Sequence, residues 1–180
     1  MDKKKLRQQQ IKRLKDNQQQ TISEGVLLLN KLSETSIWKD AKTIATTISG
    51  PFEVPTTPII KKALLEGKKV YLPKTMPHRQ MAFLPFTDMN DLVRSDFGIL
   101  EPAYKEKLVN QVPDLVIVPG LAFAVDSNYR VGFGGGYYDR FLAEYSGKTV
   151  ALVPSEMHFD SAKWDIQNYD IKIQKLISVD

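Results

Sequence analysis

The sequence predicts an α/β fold with a mostly parallel sheet, because strand-like segments alternate with segments of helical spacing along the chain. Residues 43–48 are rich in β-branched side chains, and residues 114–119 contain an apolar run typical of a strand buried on both faces. We therefore expect a three-layer α/β/α sandwich with a Rossmann-like sheet and a long N-terminal helix. Ligands of such sheets bind beyond the carboxyl ends of the strands, which directs attention to the residues after position 119.

The N-terminal helix is predicted over the first 33 residues. Ile22, Val26 and Leu29 recur at helical spacing, with Leu32 close to the next turn, and this pattern predicts the buried face. The glutamine-rich stretch before them is polar on most faces, and glutamine is a fair helix former. We expect one continuous helix.

Two shorter helices follow. The second is capped by Thr56 or Thr57 and ends at Gly67, and the third spans residues 137–145. With no internal repeat and no long linker, we expect a single domain over residues 1–180. The remaining strands are predicted at residues 69–73, 81–86, 148–153 and 175–179.

The composition excludes several kinds of site. The chain has 180 residues, no cysteine and two histidines in unrelated contexts, so disulfides, thiolate chemistry and a polyhistidine metal site are set aside. No apolar run approaches the roughly 20 residues that a membrane-spanning helix requires. The charged N-terminus has no apolar segment typical of a signal peptide after it. We expect a cytoplasmic protein with no membrane partner.

Positive charge is concentrated at the N-terminus. Residues 1–20 hold seven Lys or Arg against two Asp, a balance of +5, so the other 160 residues sum to −1 of the total +4. Such a segment could attract nucleic acid, a membrane surface or a small polyanion, or could simply be a solvated helix face. The sequence leaves these interpretations open.

Glycines cluster at residues 132–136, where four of the five positions are glycine. Glycine permits positive φ and close backbone approach, so successive N–H groups could converge on phosphate oxygens, as could the N-terminus of the helix that follows. Arg130 and Arg140 flank the cluster with positive charge, and Asp139 could ligate a hard cation or only complement the helix dipole. The spacing matches neither a P-loop nor a dinucleotide fingerprint, so phosphate binding and a tight structural turn both stay open.

The ordered motifs resemble the 5-formyltetrahydrofolate cyclo-ligase family over nearly the whole chain. The resemblance is strongest at residues 119–123 and 130–142, and it extends to residues 3–7, 53–56, 67–73 and 97–102. It implies ATP as co-substrate, Mg²⁺ as cofactor, a folate substrate and a monomer with no nucleic-acid partner.

The resemblance also implies residue roles. The positions that match ATP-binding residues of the family are Lys3, Lys4, Arg7, Arg130, Gly132, Phe133, Gly134, Gly135, Gly136, Tyr137 and Tyr138. Those that match folate-binding residues are Ile48, Glu53, Gly135 and Tyr137, and those that match magnesium ligands are Asp139 and Asp170. His78 could meet the glutamate tail of the folate, or have no role.

The implied reaction closes 5-formyltetrahydrofolate into 5,10-methenyltetrahydrofolate. ATP phosphorylates the formyl oxygen to give an iminophosphate, N10 attacks the formyl carbon, and phosphate leaves. This assigns catalysis mainly to positioning and charge neutralisation. No general base is identifiable in the sequence.

The chain departs from the family pattern at three positions. Ala124 stands where the family commonly has aspartate, Val131 replaces leucine, and Gln174 stands where a second carboxylate is usual near Asp170. Two other classes therefore compete with the cyclo-ligase. One is a sugar-phosphate isomerase or acyl-transfer enzyme of related fold, and the other is a nucleic-acid-binding module built on the basic N-terminus.

Overall fold

The computed structural model describes residues 1–180 and contains five helices and eleven strands. The helices are α1 (Lys3–Asp16), α2 (Gln18–Glu34), α3 (Ser36–Asp40), α4 (Thr57–Leu65) and α5 (Tyr137–Glu144). The strands are β1 (Thr43–Ala45), β2 (Lys69–Met76), β3 (Gln80–Pro85), β4 (Leu92–Arg94), β5 (Leu100–Pro102), β6 (Leu115–Ile117), β7 (Ala122–Ala124), β8 (Arg130–Val131), β9 (Lys148–Val153), β10 (His158–Phe159) and β11 (Lys175–Ser178). No helix combines the length and the apolar character needed to span a bilayer.

A six-stranded sheet forms the centre of the fold, in the order β11-β9-β6-β1-β2-β3. Its first five strands are parallel to one another, and β3 pairs with β2 in an antiparallel hairpin. A smaller sheet, β10-β7-β8, and a two-stranded hairpin, β4-β5, complete the strands. The prediction of a mostly parallel sheet is confirmed.

Successive side chains of the central strands enter two different apolar cores. Ile44 packs with Leu28, Trp38 and Ile59 from α2, α3 and α4, whereas its neighbour Ala45 belongs to a second core on the other face. The second core joins α1, α5 and the small sheet to the central sheet through Leu14, Leu142 and Phe123. This alternation is the period-two pattern of a sheet covered on both faces, and it confirms the three-layer α/β/α sandwich. Because the two cores lie on opposite faces of the same central sheet, we propose that residues 1–180 form one domain.

The N-terminal helix differs from the sequence prediction in two ways. It is broken at Asn17 (φ −113°, ψ 28°), whose side-chain N–H₂ donates to the carbonyl of Arg13 at 2.9 Å. Asparagine competes in this way with the helical backbone bonds. The predicted apolar stripe is confirmed at Leu32, which is fully buried, and wrong at Ile22 and Val26, which are 38% and 63% exposed, whereas Leu28 is buried in their place. The run from 26 to 29 is apolar on all sides, so its spacing cannot select the buried face.

The two helices predicted after the first are confirmed. Gly67 adopts the left-handed conformation (φ 75°) just beyond α4, and α5 begins at Tyr137 as expected. The hydroxyl of Thr56 does not cap α4. It accepts instead from the backbone N–H of Ser49 at 2.9 Å, and so closes the loop between β1 and α4.

Strand β2 continues beyond the predicted end at Pro73. Tyr71 accepts a backbone hydrogen bond from Thr46 at the end of β1, so the odd-numbered residues of β2 direct their backbone groups towards that side. Pro73 lies past the last pairing with β1, where its missing N–H leaves no bond unmade. The short strands β4, β5, β7, β8 and β10 were not predicted.

One buried carboxylate holds the β4–β5 hairpin to β2, on the side of β2 that pairs with β1 earlier in the strand. Glu101, 2% exposed, accepts from Lys74 Nζ at 3.0 Å and from both the N–H and the hydroxyl of Thr75, at 3.2 and 2.9 Å. The N–H of Thr75 would otherwise be an unpaired strand donor. The carboxylate thus replaces the missing neighbouring strand.

We expect Glu101→Ala to lower the free energy of unfolding by about 2–3 kcal/mol, because it leaves the Thr75 N–H and the Lys74 ammonium without a partner. Urea unfolding at pH 7 measures this as a lower midpoint with an unchanged m-value. Glu106→Ala, at an exposed position, is the control and should change stability by less than about 0.5 kcal/mol. Equal midpoints for the two variants would contradict the anchoring role of Glu101.

Candidate active site

The glycine-rich loop, residues 132–136, connects β8 to α5 near the carboxyl end of β6. Sequence analysis expected the loop directly after the strand at 114–119, but two short strands, β7 and β8, intervene. They pair with each other in antiparallel fashion, so the chain leaves the end of β6 and returns to it. The loop therefore lies where open α/β sheets bind ligands.

The loop conformation requires glycine at several positions. Gly134 (φ 105°) and Gly136 (φ 71°) adopt backbone conformations that side chains disfavour. Gly135 has an ordinary φ, but a Cβ there would lie 2.7 Å from the Tyr137 ring. Gly136 is the N-cap of α5 and leaves the first N–H groups of that helix without a side-chain partner.

Helix α1 brings two of the predicted cations to this loop. Arg7 Nε donates to the carbonyl of Gly132 at 2.8 Å, and its guanidinium carbon would lie 3.4 Å from a Cβ at Gly134. Lys3 forms an ion pair with Asp170, whose side chain is 8% exposed. Lys4 is exposed and makes no hydrogen bond or ion pair.

The two predicted metal ligands are neighbours. Asp139 Oδ1 accepts from Arg130 Nη1 at 2.9 Å and from the backbone N–H of Ile171 at 3.1 Å, which places it beside Asp170. Asp170 Oδ2 accepts from Lys3 and from the N–H of Gln167. Arg130, almost fully buried, also donates to the carbonyl of Pro119 at 3.3 Å. Two carboxylates and two cations thus meet at the start of α5.

Two carboxylate oxygens of this cluster make no short hydrogen bond, and they suit a magnesium ion bound together with phosphates. Asp170 Oδ1 has no hydrogen bond, and the only contact of Asp139 Oδ2 is a long one, 3.5 Å, to Arg130. No group of three or more His, Asp or Glu side chains is close enough together to enclose a metal ion. Mg²⁺ commonly binds one or two carboxylates and completes its shell with water and substrate phosphates. The donor set therefore fits such an ion, and does not fit an all-protein metal cage.

The two tyrosines after the glycines have different surroundings. The Tyr138 hydroxyl is buried without a hydrogen-bond partner. Burial raises the pKa of Tyr138, the charge of Arg130 offsets this in part, and the nearby carboxyl of Glu53 raises it further. Tyr137 packs edge-on against Phe97 at the tip of the β4–β5 hairpin, with ring centroids 6.2 Å apart. Phe133 is about half exposed on the loop.

A small cavity lies at the carboxyl ends of β1, β6 and β9. It has a volume of about 40 Å³, and its polar lining includes Thr46, Ser49, Glu53 and Thr56. Burial raises the pKa of Glu53, and a hydrogen bond from the N–H of Gly50 opposes the rise. Ile48, another predicted folate contact, packs against the apolar core and does not line this cavity.

The structure thus brings together most of the predicted site. The glycine loop, Lys3, Arg7, Arg130, Asp139 and Asp170 form one cluster, and Glu53 is near enough to raise the pKa of Tyr138. Ile48 and Lys4 stay outside the cluster. Sequence reasoning missed Arg79, whose Nη1 lies 3.5 Å from the carbonyl of Gly135.

Arg79 and His78 both adopt left-handed conformations (φ 58° and 59°) in the β2–β3 turn, which is unusual for residues other than glycine. No contact of His78 to the loop is present, so its proposed meeting with the glutamate tail stays a prediction.

Comparison with known proteins identifies the family. The model of the 5-formyltetrahydrofolate cyclo-ligase family matches residues 1–160. The protein belongs to this family. The 5-formyltetrahydrofolate cyclo-ligase of Haemophilus influenzae is 30% identical over 147 residues, which cover 75% of this chain and 77% of that one. A probable cyclo-ligase of Caenorhabditis elegans is 31% identical over 178 residues, covering 91% of this chain and 85% of its own.

Solved structures of cyclo-ligase relatives share the fold. The NMR structure of Aquifex aeolicus 5,10-methenyltetrahydrofolate synthetase superimposes with a TM-score of 0.77 at 28% identity, covering 99% of this chain and 90% of that one. A 5,10-methenyltetrahydrofolate synthetase from Mycoplasma pneumoniae gives a TM-score of 0.66 at 22% identity, over 98% of both chains. The second comparison supports the fold alone.

Two departures from the family pattern have structural explanations. Gln174 uses both ends of its amide, since Oε1 accepts from the N–H of Thr149 at 3.3 Å and Nε2 donates to the carbonyl of Gly147 at 3.1 Å. A carboxylate could accept the first bond but not donate the second. Ala124 is fully buried in β7, where an ionised aspartate would need a partner. Neither residue adjoins Asp139.

We expect Glu53→Gln to be more stable than the wild type near neutral pH. Because the folded-state pKa is raised, the folded protein holds this proton more tightly than the unfolded chain does. In the wild type, the stability that comes from binding this proton is present below the unfolded-state pKa of about 4.3 and is lost as the pH rises through the folded-state pKa. The amide does not titrate, so its advantage in unfolding free energy should grow from pH 4 to pH 7.5.

Urea unfolding at several pH values measures this advantage. Glu34→Gln, at an exposed position, serves as the control and should show a difference from the wild type that does not change with pH. An advantage of Glu53→Gln that was largest at pH 4 would contradict the analysis.

Proposed function

We propose that the protein uses ATP and Mg²⁺ to convert 5-formyltetrahydrofolate into 5,10-methenyltetrahydrofolate, with release of ADP and phosphate. The observation that carries the proposal is the contact of Arg7 with Gly132, which lays the basic face of α1 against the glycine loop. Relatives that share the fold are named for this cyclisation, and membership of their family supports the same reaction at this site. It also favours the cyclo-ligase over the isomerase and acyl-transfer interpretations.

The polyphosphate of ATP would lie between α1 and the start of α5. The unpaired N–H groups at the N-terminus of α5 and the backbone of the glycine loop supply donors for phosphate oxygens. Arg7 and Lys3 add positive charge from the opposite side. The uneven charge of the chain is then explained by a small polyanion, without a nucleic acid.

Asp170 would hold the metal through Oδ1, which makes no hydrogen bond, and Asp139 through Oδ2, whose only contact is a long one to Arg130. A bound Mg²⁺ would neutralise negative charge on the phosphate oxygens. Arg130 keeps Asp139 in place by two hydrogen bonds from a buried position, so this carboxylate is oriented before any ligand arrives.

The chemistry needs two steps. In the first, the formyl oxygen attacks the γ-phosphorus, an O–P bond forms, and the bond to the β-phosphate oxygen breaks to release ADP. In the second, N10 attacks the formyl carbon, a C–N bond forms, and phosphate leaves with the electron pair of the C–O bond while N10 loses its proton. The protein contributes alignment and charge stabilisation, and intramolecular attack in good geometry can remove roughly 7–11 kcal/mol of the barrier.

The folate would bind across the loop towards the cavity that contains Glu53. The carboxylate of Glu53 can accept hydrogen bonds from the amino and ring N–H groups of the pterin. Tyr137 and Phe97 offer an aromatic surface beside the loop. The monomeric state and the cytoplasmic location stay predictions from the sequence.

The reaction is tested by following the absorbance of the methenyl product after protein, 5-formyltetrahydrofolate, Mg²⁺ and ATP are mixed, with ATP omitted as the control. We expect an ATP-dependent rise with the wild type and a rate at least about 100-fold lower with Asp139→Asn, which keeps the shape but removes the charge. Asp160→Asn, on a side chain 98% exposed, should behave as the wild type. No rise with folded wild-type protein would refute the function, and an active Asp139→Asn would refute the metal role alone.

We expect Arg7→Ala to raise the KM for ATP about 10-fold and to change the KM for the folate little, because Arg7 belongs to the phosphate side of the site. Lys5→Ala removes the same charge from an exposed position of α1 and is the matched control. Steady-state kinetics with each substrate varied in turn separates the two effects. Equal KM values for ATP in the two variants would count against α1 as part of the nucleotide site.

A further inference from the structure

Thr46, the residue after β1, has a buried hydroxyl without a partner. The residue is 1% exposed, and its Oγ1 makes no hydrogen bond, although its backbone N–H donates to the carbonyl of Tyr71 at 3.0 Å. An unpaired buried hydroxyl is costly, and such groups in folded proteins are few. Valine has nearly the same shape and suits the end of a strand at least as well. The hydroxyl therefore needs an explanation that local structure does not provide.

Thr46 lines the same cavity as Glu53. With a volume of about 40 Å³, the cavity has room for two or three groups the size of water, so it would receive the edge of a ring and not a whole ring. Two other hydroxyls of the lining are already paired with backbone groups. Ser49 Oγ accepts from the N–H of Thr56 at 3.1 Å, and Thr56 Oγ1 accepts from the N–H of Ser49 at 2.9 Å. The Thr46 hydroxyl makes no hydrogen bond, and it is the one hydroxyl of the lining that is buried without a partner.

We propose that Thr46 is a further folate-binding residue, whose hydroxyl hydrogen-bonds the polar edge of the pterin ring beside Glu53. The inference rests on the proposed function. The pterin edge carries amino and ring N–H donors next to a carbonyl acceptor. A carboxylate can only accept, so Glu53 suits the donors, whereas a hydroxyl can also donate and so suits the carbonyl. The two residues together match both kinds of group.

The test measures binding of 5-formyltetrahydrofolate by isothermal titration without ATP, together with the KM for each substrate in the cyclisation assay. Thr46→Val removes the hydroxyl and keeps the shape, and should raise both the Kd and the KM for the folate about three- to ten-fold. The KM for ATP should stay within about two-fold. Thr46→Ser restores the hydroxyl and should return the Kd to within about two-fold of the wild type.

Thr21→Val is the matched control, because Thr21 in α2 is also fully buried with an unpaired hydroxyl but does not line the cavity. It should leave folate binding unchanged, and neither valine variant should unfold more easily than the wild type. An unchanged Kd for Thr46→Val, or an equal loss in Thr21→Val, would overturn the role of Thr46 while the cyclisation of the wild type stood. A wild type that neither bound nor cyclised the folate would overturn the proposed function as well.

Discussion

The candidate site depends on one buried guanidinium. Arg130 lies two residues before the glycine loop and Asp139 follows it in the first turn of α5, so their ion pair joins the two ends of the loop. The same guanidinium donates to Pro119 at the end of β6, which fixes the loop to the central sheet. Because a buried arginine without its carboxylate is strongly unfavourable, this arrangement allows the loop little freedom. The left-handed glycines can then hold their conformation without a ligand.

The glycine loop and the start of α5 also have neighbours that are distant in sequence. From one side, α1 contacts the loop through Arg7, and from another, the β4–β5 hairpin places Phe97 against Tyr137. Glu101 holds that hairpin to β2 by taking the position of an absent strand. Glu101 thereby helps to fix the position of Phe97, an aromatic residue at the edge of the candidate site.

The sequence predicted what depends on local pattern. The five parallel strands, α4, α5 and the glycine cluster follow from β-branched runs, cap residues and spacing, and the residues matched to the family motifs largely meet in space. The buried face of α2 could not be predicted, because four consecutive apolar residues give no preferred side. The break at Asn17 depends on one side-chain bond to the backbone, and Arg79 reaches the loop only through an unusual turn. The role of Gln174 was hidden too, since its amide serves β9 and not the carboxylate cluster.

The site is assembled from the two extremes of the chain. Lys3 and Asp170 are separated by 167 positions and Arg7 and Gly132 by 125, so the contacts that enclose the loop have a sequence separation close to the length of the whole protein. Contacts of this kind form late, because the entropy of closing a long segment of chain must be overcome before they stabilise anything. During synthesis the ion pair of Lys3 cannot form until Asp170, 167 positions later, has emerged. The charge cluster therefore cannot form until segments that are far apart in sequence have met, and the candidate site is complete only then.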